Sequence, residues 1–183
     1  MGYTVLSWNI EHFSYENTDE EKVAGHIRGR DPDIFGLYEV EDARIYPFMK
    51  RKFADYTMFI TGGAEVQEIL VAIRNGAFDH VSFEQRMEFK EGNEYLRPGA
   101  LVSVSKRDRT DTLLFLHTDS GTEASAFGNR ARMLEHGLSL KTTLDRVVGG
   151  KANFLILGDL NTMGLQYPRQ GPKYVRVGED LEI

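Results

Sequence analysis

Short apolar blocks punctuated by turn residues recur along the chain, and each block predicts an element. Tyr3 to Trp8 is a β-prone run. Thr18 or Asp19 stands where a helix cap belongs, with acidic residues just behind it, which predicts a helix through about Arg30. Asp33 to Tyr38, bounded upstream by Asp31-Pro32, reads as a second strand. Within Asp42 to Ala54, Ile45, Phe48, Met49 and Phe53 recur at helical spacing. Pro47 is tolerated there only near the helix start. Tyr56 to Thr61 is a strand stopped by Gly62-Gly63. Ile69 to Arg74 and His80 to Phe89 flank Asn75-Gly76, the strongest short hairpin signal, so the two are expected to pair. Ala100 to Ser105 and Thr112 to Leu116 are strands joined by a charged turn at Lys106-Arg107-Asp108-Arg109. Ala126 to Val148 is a long amphipathic helix, with Met133, Leu134, Leu138, Leu140 and Leu144 expected to face the core. Asn153 to Leu157 is a last apolar strand.

The order is β-α-β-α-β, then several strands, then helix and strand. Both helical crossovers and tight turns occur, so the sheets should be mixed. No repeat or linker interrupts the 183 residues, which predicts one domain over 1–183. The segment Gln166-Tyr167-Pro168-Arg169-Gln170-Gly171-Pro172-Lys173 reads as loop. Composition narrows the function. Lys plus Arg number 22 and Asp plus Glu 28, for a net charge of −6. Non-specific wrapping of nucleic acid by a basic surface is thereby disfavoured, whereas a bound divalent cation could supply positive charge locally. With no cysteine, disulfides, thiolate metal sites and cysteine nucleophiles are excluded. No apolar run approaches the roughly 20 residues of a membrane span, and the first residues do not read as an export signal. A cytoplasmic location is expected.

Several apolar runs end in a polar residue. Tyr3–Trp8 ends at Asn9, Ile34–Tyr38 at Glu39, Leu113–Leu116 at His117, and Phe154–Leu157 at Gly158-Asp159-Leu160-Asn161. Ligand sites of open α/β sheets collect beyond the carboxyl ends of strands. Four such strands, parallel and adjacent, would gather Asn9, Glu39, His117, Asp159 and Asn161 at one mouth. That oxygen-rich set suits magnesium, and the imidazole could move a proton or steady charge on a phosphoryl oxygen. Taken singly, each residue has a plainer explanation: Asn and Asp as turn residues, Glu39 as solvated, His117 as structural. The repetition is what points to a site. His12, His26, His80 and His136 share no metal-ligand spacing and read as structural.

Leu6-Ser7-Trp8-Asn9-Ile10, Asp31 through Glu39, and Leu155-Ile156-Leu157-Gly158-Asp159-Leu160-Asn161 resemble three ordered motifs of the endonuclease/exonuclease/phosphatase superfamily. Leu114 through Ser120 is similar to the strand that carries that family's histidine, and Tyr95-Leu96-Arg97-Pro98 to its Arg-Pro segment. The resemblance spans residues 3 to about 165. It implies a four-layer α/β/β/α sandwich (α/β, or α+β, with mixed sheets). It also implies hydrolysis of a phosphate ester with magnesium, or manganese, as cofactor. Glu39 would ligate the metal and Asn9 would help hold metal or phosphate. Asp159 would orient or deprotonate the attacking water. Asn161 would bind a phosphoryl oxygen, His117 would act on the phosphoryl or leaving group, and Arg97 would contact phosphate.

The chain departs from the family pattern in three places. Tyr38 stands where Gln usually precedes the glutamate, and Leu116 precedes His117 where Thr is common. The family's closing Ser-Asp-His segment has no counterpart, so the second sheet is expected to be incomplete. Three readings follow. One is a divalent-metal phosphoesterase acting on nucleic acid, a nucleotide or a small phosphate ester. The second is an inactive relic that binds phosphate or metal. The third is a half-fold that completes its sheet by self-association at an open edge. Arg74, Arg97, Arg130 and Arg132 are the candidate basic contacts. Nuclease, phosphomonoesterase and lipid or sugar phosphatase all remain open.

Overall fold

A period of two in the central strands dictates the layers. In a computed structural model, which describes residues 2–14, 16, 18–41, 43–63, 67–90, 93 and 95–162, β1 (Val5–Phe13), β2 (Ile34–Val40), β3 (Tyr56–Ile60) and β4 (Glu68–Arg74) form one sheet in the order β1-β2-β4-β3. Strands β5 (His80–Arg86), β6 (Gly99–Lys106), β7 (Arg109–His117) and β8 (Asn153–Asp159) form a second, ordered β5-β6-β7-β8. Each is mixed, with β1–β2 and β7–β8 the parallel pairs. Helices α1 (Glu20–Arg30), α2 (Ile45–Lys52) and α3 (Ala124–Val148) complete the layers, and a 3₁₀ turn spans Met87–Lys90. The segment 166–173 lies outside the described residues.

Alternate residues of each central strand serve different layers, as a side-chain period of two requires. Phe35, Leu37, Leu70 and Ala72 pack with Val23 and Ile27 of α1 and Ile45 and Met49 of α2. Ile34, Tyr38, Ile69, Val71 and Ile73 point the other way, onto Ala100, Val102, Leu113 and Phe115 of the second sheet. Leu101, Leu114 and Leu116 then turn outward onto Met133 and Leu140 of α3. The result is the expected helix/sheet/sheet/helix sandwich. Because β2 and β4 are apolar on both faces, they can only be central strands.

Gly36 sets how closely the sheets approach, since a Cβ there would stand 2.5 Å from the Phe115 ring. The polar ends of α1 follow the sequence: Asp19 caps it by accepting from Lys22 N–H at 3.1 Å, and Asp31 closes it in the left-handed conformation.

Four expectations are corrected. Asn75-Gly76 does turn the chain, with Gly76 at φ 76°, but β4 and β5 do not pair. The turn carries the chain from one sheet to the other. Both faces of β4 are apolar and need two covering layers, which a hairpin with the largely exposed β5 would not supply. Phe89 lies in the 3₁₀ turn, not in a strand. On α3, Leu134 and Leu138 face solvent, while Ala126, Arg130, Met133, Gly137 and Leu140 line the buried stripe. Helix α2 is shorter than predicted, and Pro47 is its third residue.

Gly36→Ala should destabilise the fold by about 1–3 kcal/mol, the cost of overpacking a filled interface. A urea midpoint unchanged from wild type would show that the sheets separate easily.

Candidate active site

The parity that builds the layers also aims the site. On β1, Leu6, Trp8 and Ile10 pack on the helix side, so Ser7 and Asn9 face between the sheets. On β7, His117 follows Leu113 and Phe115 on the inner face. On β8, Asp159 follows Leu157 in the same way. Glu39 is different. In a regular strand it would share the helix-facing side with Phe35 and Leu37. The pairing of β2 with β4 shifts between Leu37 and Val40, and Glu39 takes φ 62°. That bulge returns Val40 to the helix-side core and swings Glu39 toward the space between the sheets.

The four strand ends therefore converge, but not as one row of adjacent strands. Two parallel pairs, one per sheet, face each other. Ligand atoms of Glu39, His117 and Asp159 all lie within 4.8 Å of one another. Asn9 ties the sheets together. Its Nδ2 donates to Glu39 Oε1 at 2.9 Å and to Asp159 Oδ2 at 2.7 Å. An amide nitrogen has two hydrogens, and each carboxylate takes one. Asn9 Oδ1 accepts from Glu11 N–H at 2.9 Å.

The other carboxylate oxygens are held as well. Glu39 Oε2 accepts from His12 N–H at 3.0 Å, and Asp159 Oδ1 from Asn161 N–H at 3.0 Å. Asn161 takes φ 45°, and its Nδ2 donates to Thr118 O at 2.8 Å. Gly158, at φ 147°, is obligatory, because a Cβ would sit on the Leu116 carbonyl. Burial pushes the Glu39 carboxyl up, but the bonds from Asn9 and His12 and the nearby imidazoles outweigh it and hold the group below the usual range.

His117 is 2% exposed, with Nε2 3.5 Å from Glu39 Oε1. Its pKa is pushed down to about 4, first by burial and then by Arg97, against the pull of Glu39 and Asp159. The ring is neutral at pH 7. Its Nδ1 is buried with no hydrogen-bond partner among the described residues. A lone pair is cheaper to leave unmatched there than an N–H, so the proton belongs on Nε2, facing the carboxylates. Arg97, half-buried, acts on both His117 and Asp119 and so stands beside the site.

Two candidate basic contacts are elsewhere. Arg74 binds Asp31, Asp33 and Asp55 at the opposite end of the first sheet. Arg130 is buried and donates to the Asp119 and Gly121 carbonyls, where it shapes the β7–α3 loop. Arg132 is exposed on α3. His12, which reads as a structural histidine in the sequence, holds Glu39 through its backbone N–H. Only the consecutive left-handed residues Glu11 and His12 bring it there, and no local signal marks them.

Two carboxylates drawn together beside a neutral imidazole repel each other unless a cation joins them. The donors fit a divalent ion: carboxylate oxygens from Glu39 and Asp159, each already oriented by hydrogen bonds. The expected Asn9 reaches both carboxylates through its nitrogen, and its oxygen is engaged by Glu11.

The depressed His117 pKa has a stability consequence. Between about 4 and the ordinary 6.5 the unfolded chain binds a proton that the folded chain refuses. Stability therefore rises with pH across that window and is lost as pH falls through it. Measured by urea unfolding in EDTA, wild type should gain roughly 3 kcal/mol relative to His117→Asn between pH 4 and 6.5. Parallel pH profiles for the two proteins would mean the imidazole protonates freely in the fold.

No protein-family model and no curated protein matches the sequence. Solved structures do match. The truncated Caenorhabditis elegans TDP2 structure superposes with a TM-score of 0.68 at 20% identity, over 91% of this chain and 65% of that one. The human Nocturnin catalytic domain with bound sulfate anion gives 0.64 at 18% identity, over 87% and 65%. An endonuclease/exonuclease/phosphatase family protein from Bacteroides thetaiotaomicron gives 0.66 at 17% identity, over 87% and 63%. The chain spans under two thirds of the length of each. At these identities the match establishes architecture, and that architecture is the endonuclease/exonuclease/phosphatase fold which the three sequence motifs resemble.

Proposed function

We propose that the chain is a divalent-metal-dependent phosphoesterase, with magnesium as its working ion and manganese as a substitute. The observation that carries the proposal is the convergence of Glu39, His117 and Asp159 from strands of both sheets, cross-linked by the Asn9 amide. The fold neighbours support a phosphate-ester substrate, since the Nocturnin catalytic domain holds sulfate, a tetrahedral oxyanion. A nucleic acid, nucleotide or small phosphate ester would all present that group.

Glu39 would hold the ion, its two oxygens oriented by Asn9 and His12 N–H. When bound, the ion would polarise a phosphoryl oxygen and offset the charge that grows during in-line attack. Asp159 orients water and accepts its proton. Its oxygens are aligned by Asn9 and Asn161 N–H, so little reorganisation is needed. His117 donates from Nε2–H to a phosphoryl oxygen, and its low pKa keeps it a neutral donor at pH 7. Arg97 contacts phosphate from the same side. Asn161 fixes the Asp159 turn through its N–H and would bind a phosphoryl oxygen.

The test is hydrolysis of bis(p-nitrophenyl) phosphate and relaxation of supercoiled plasmid, each with magnesium, manganese or EDTA. Metal-dependent turnover is expected, and Glu39→Gln should abolish it while the variant stays folded. His117→Ala should slow turnover by about 10²- to 10⁴-fold. No turnover from folded protein with either ion would overturn the proposal, and an effect below about threefold would return His117 to a structural role.

A further inference from the structure

The Glu39 carboxylate depends on a backbone N–H that comes from an unusual place. Strand β1 leaves its regular pairing with β2 between Asn9 and Phe13, and Glu11 and His12 adopt φ 54° and 55°. Neither is glycine, so each conformation is strained and persists only where surroundings impose it. The His12 side chain is 54% exposed, so packing does not impose it.

Polar contacts do. His12 Nδ1 lies 2.5 Å from Glu41 Oε1. Gln67 Nε2 donates to the same oxygen at 3.0 Å and stands 3.4 Å from His12 Nδ1. Glu41 is itself anchored, its N–H donating to Phe13 O at 3.1 Å. The side chains of two residues beyond the central strands thus fasten the ring, and the ring fastens the backbone that holds Glu39 Oε2.

We propose that His12, Glu41 and Gln67 are positioning residues that fix the Glu39 carboxylate for its cation. The proposal rests on the reading of Glu39 as the metal ligand. It gives the left-handed pair at Glu11 and His12 a purpose: the turn presents an N–H to the Glu39 oxygen that Asn9 does not reach.

Manganese binding to EDTA-stripped protein, followed by titration calorimetry, tests this without any substrate. His12→Ala keeps the N–H but removes its tether, and the dissociation constant should rise about 10- to 100-fold, as for other groups that orient metal ligands. Charge cannot mimic this result, because removing an imidazole takes away no negative charge. Gln67→Ala, a neutral exchange at the periphery, should shift affinity the same way by a smaller factor. His12→Asn should restore binding, since asparagine tolerates the left-handed conformation and its amide can still donate to Glu41. If His12→Ala and Gln67→Ala bind manganese as wild type does while Glu39→Gln does not, the positioning role is overturned and the ligand assignment stands. If Glu39→Gln binds as wild type, both fall.

Discussion

A single amide holds together what two sheets deliver separately. Glu39 arrives on the first sheet and Asp159 on the second, and Asn9 donates one hydrogen to each. Everything else at the mouth is arranged around that bridge. Tight apposition of the sheets is its precondition, and the missing side chain at Gly36, filled by the Phe115 ring, permits it. Ser7 and Tyr38 add a polar tie within the first sheet, their hydroxyls 2.9 Å apart one step deeper. That bond gives a local account of Tyr38 at a position where the resembling family usually carries Gln.

The site is chemically asymmetric. Both carboxylates accept hydrogen bonds on every oxygen, and Glu39 is held below the usual carboxyl range despite partial burial, while the imidazole beside them is forced neutral. Burial alone would push carboxylates and imidazole alike toward their uncharged forms. The bonds from Asn9 and His12 separate the two behaviours at Glu39, because they stabilise its negative charge and leave His117 Nδ1 without a partner among the described residues.

Much of this was legible in the chain. Apolar blocks of strand length, each closing on a polar residue, marked Asn9, Glu39, His117 and Asp159, and the three motifs carried the fold. What escaped was geometry that no local pattern encodes. The Asn75-Gly76 turn is real, yet which strand pairs with which depends on both faces of β4 needing cover. Leu134 and Leu138 looked core-facing because periodicity was read without Arg130, whose long side chain is buried to hold a loop. His12 reads only as structural because two successive non-glycine residues in the left-handed region have no compositional signature. Arg74 sat in a promising strand but at its wrong end.

The bulge at Tyr38–Glu39 makes the four strands unequal in what length changes they can absorb. In β1, β7 and β8 the inner face is reached by strict alternation, so losing one residue before Asn9, His117 or Asp159 would turn that side chain toward the helices. Glu39 is reached only because β2 breaks the alternation once. A regularised β2 of unchanged length would look like better sheet and would carry its glutamate on the helix side, whereas losing the bulge together with one residue would keep it between the sheets. Relatives of this chain should therefore tolerate substitution throughout these strands yet preserve the residue counts of β1, β7 and β8, while in β2 the bulge and the extra residue are kept or lost together.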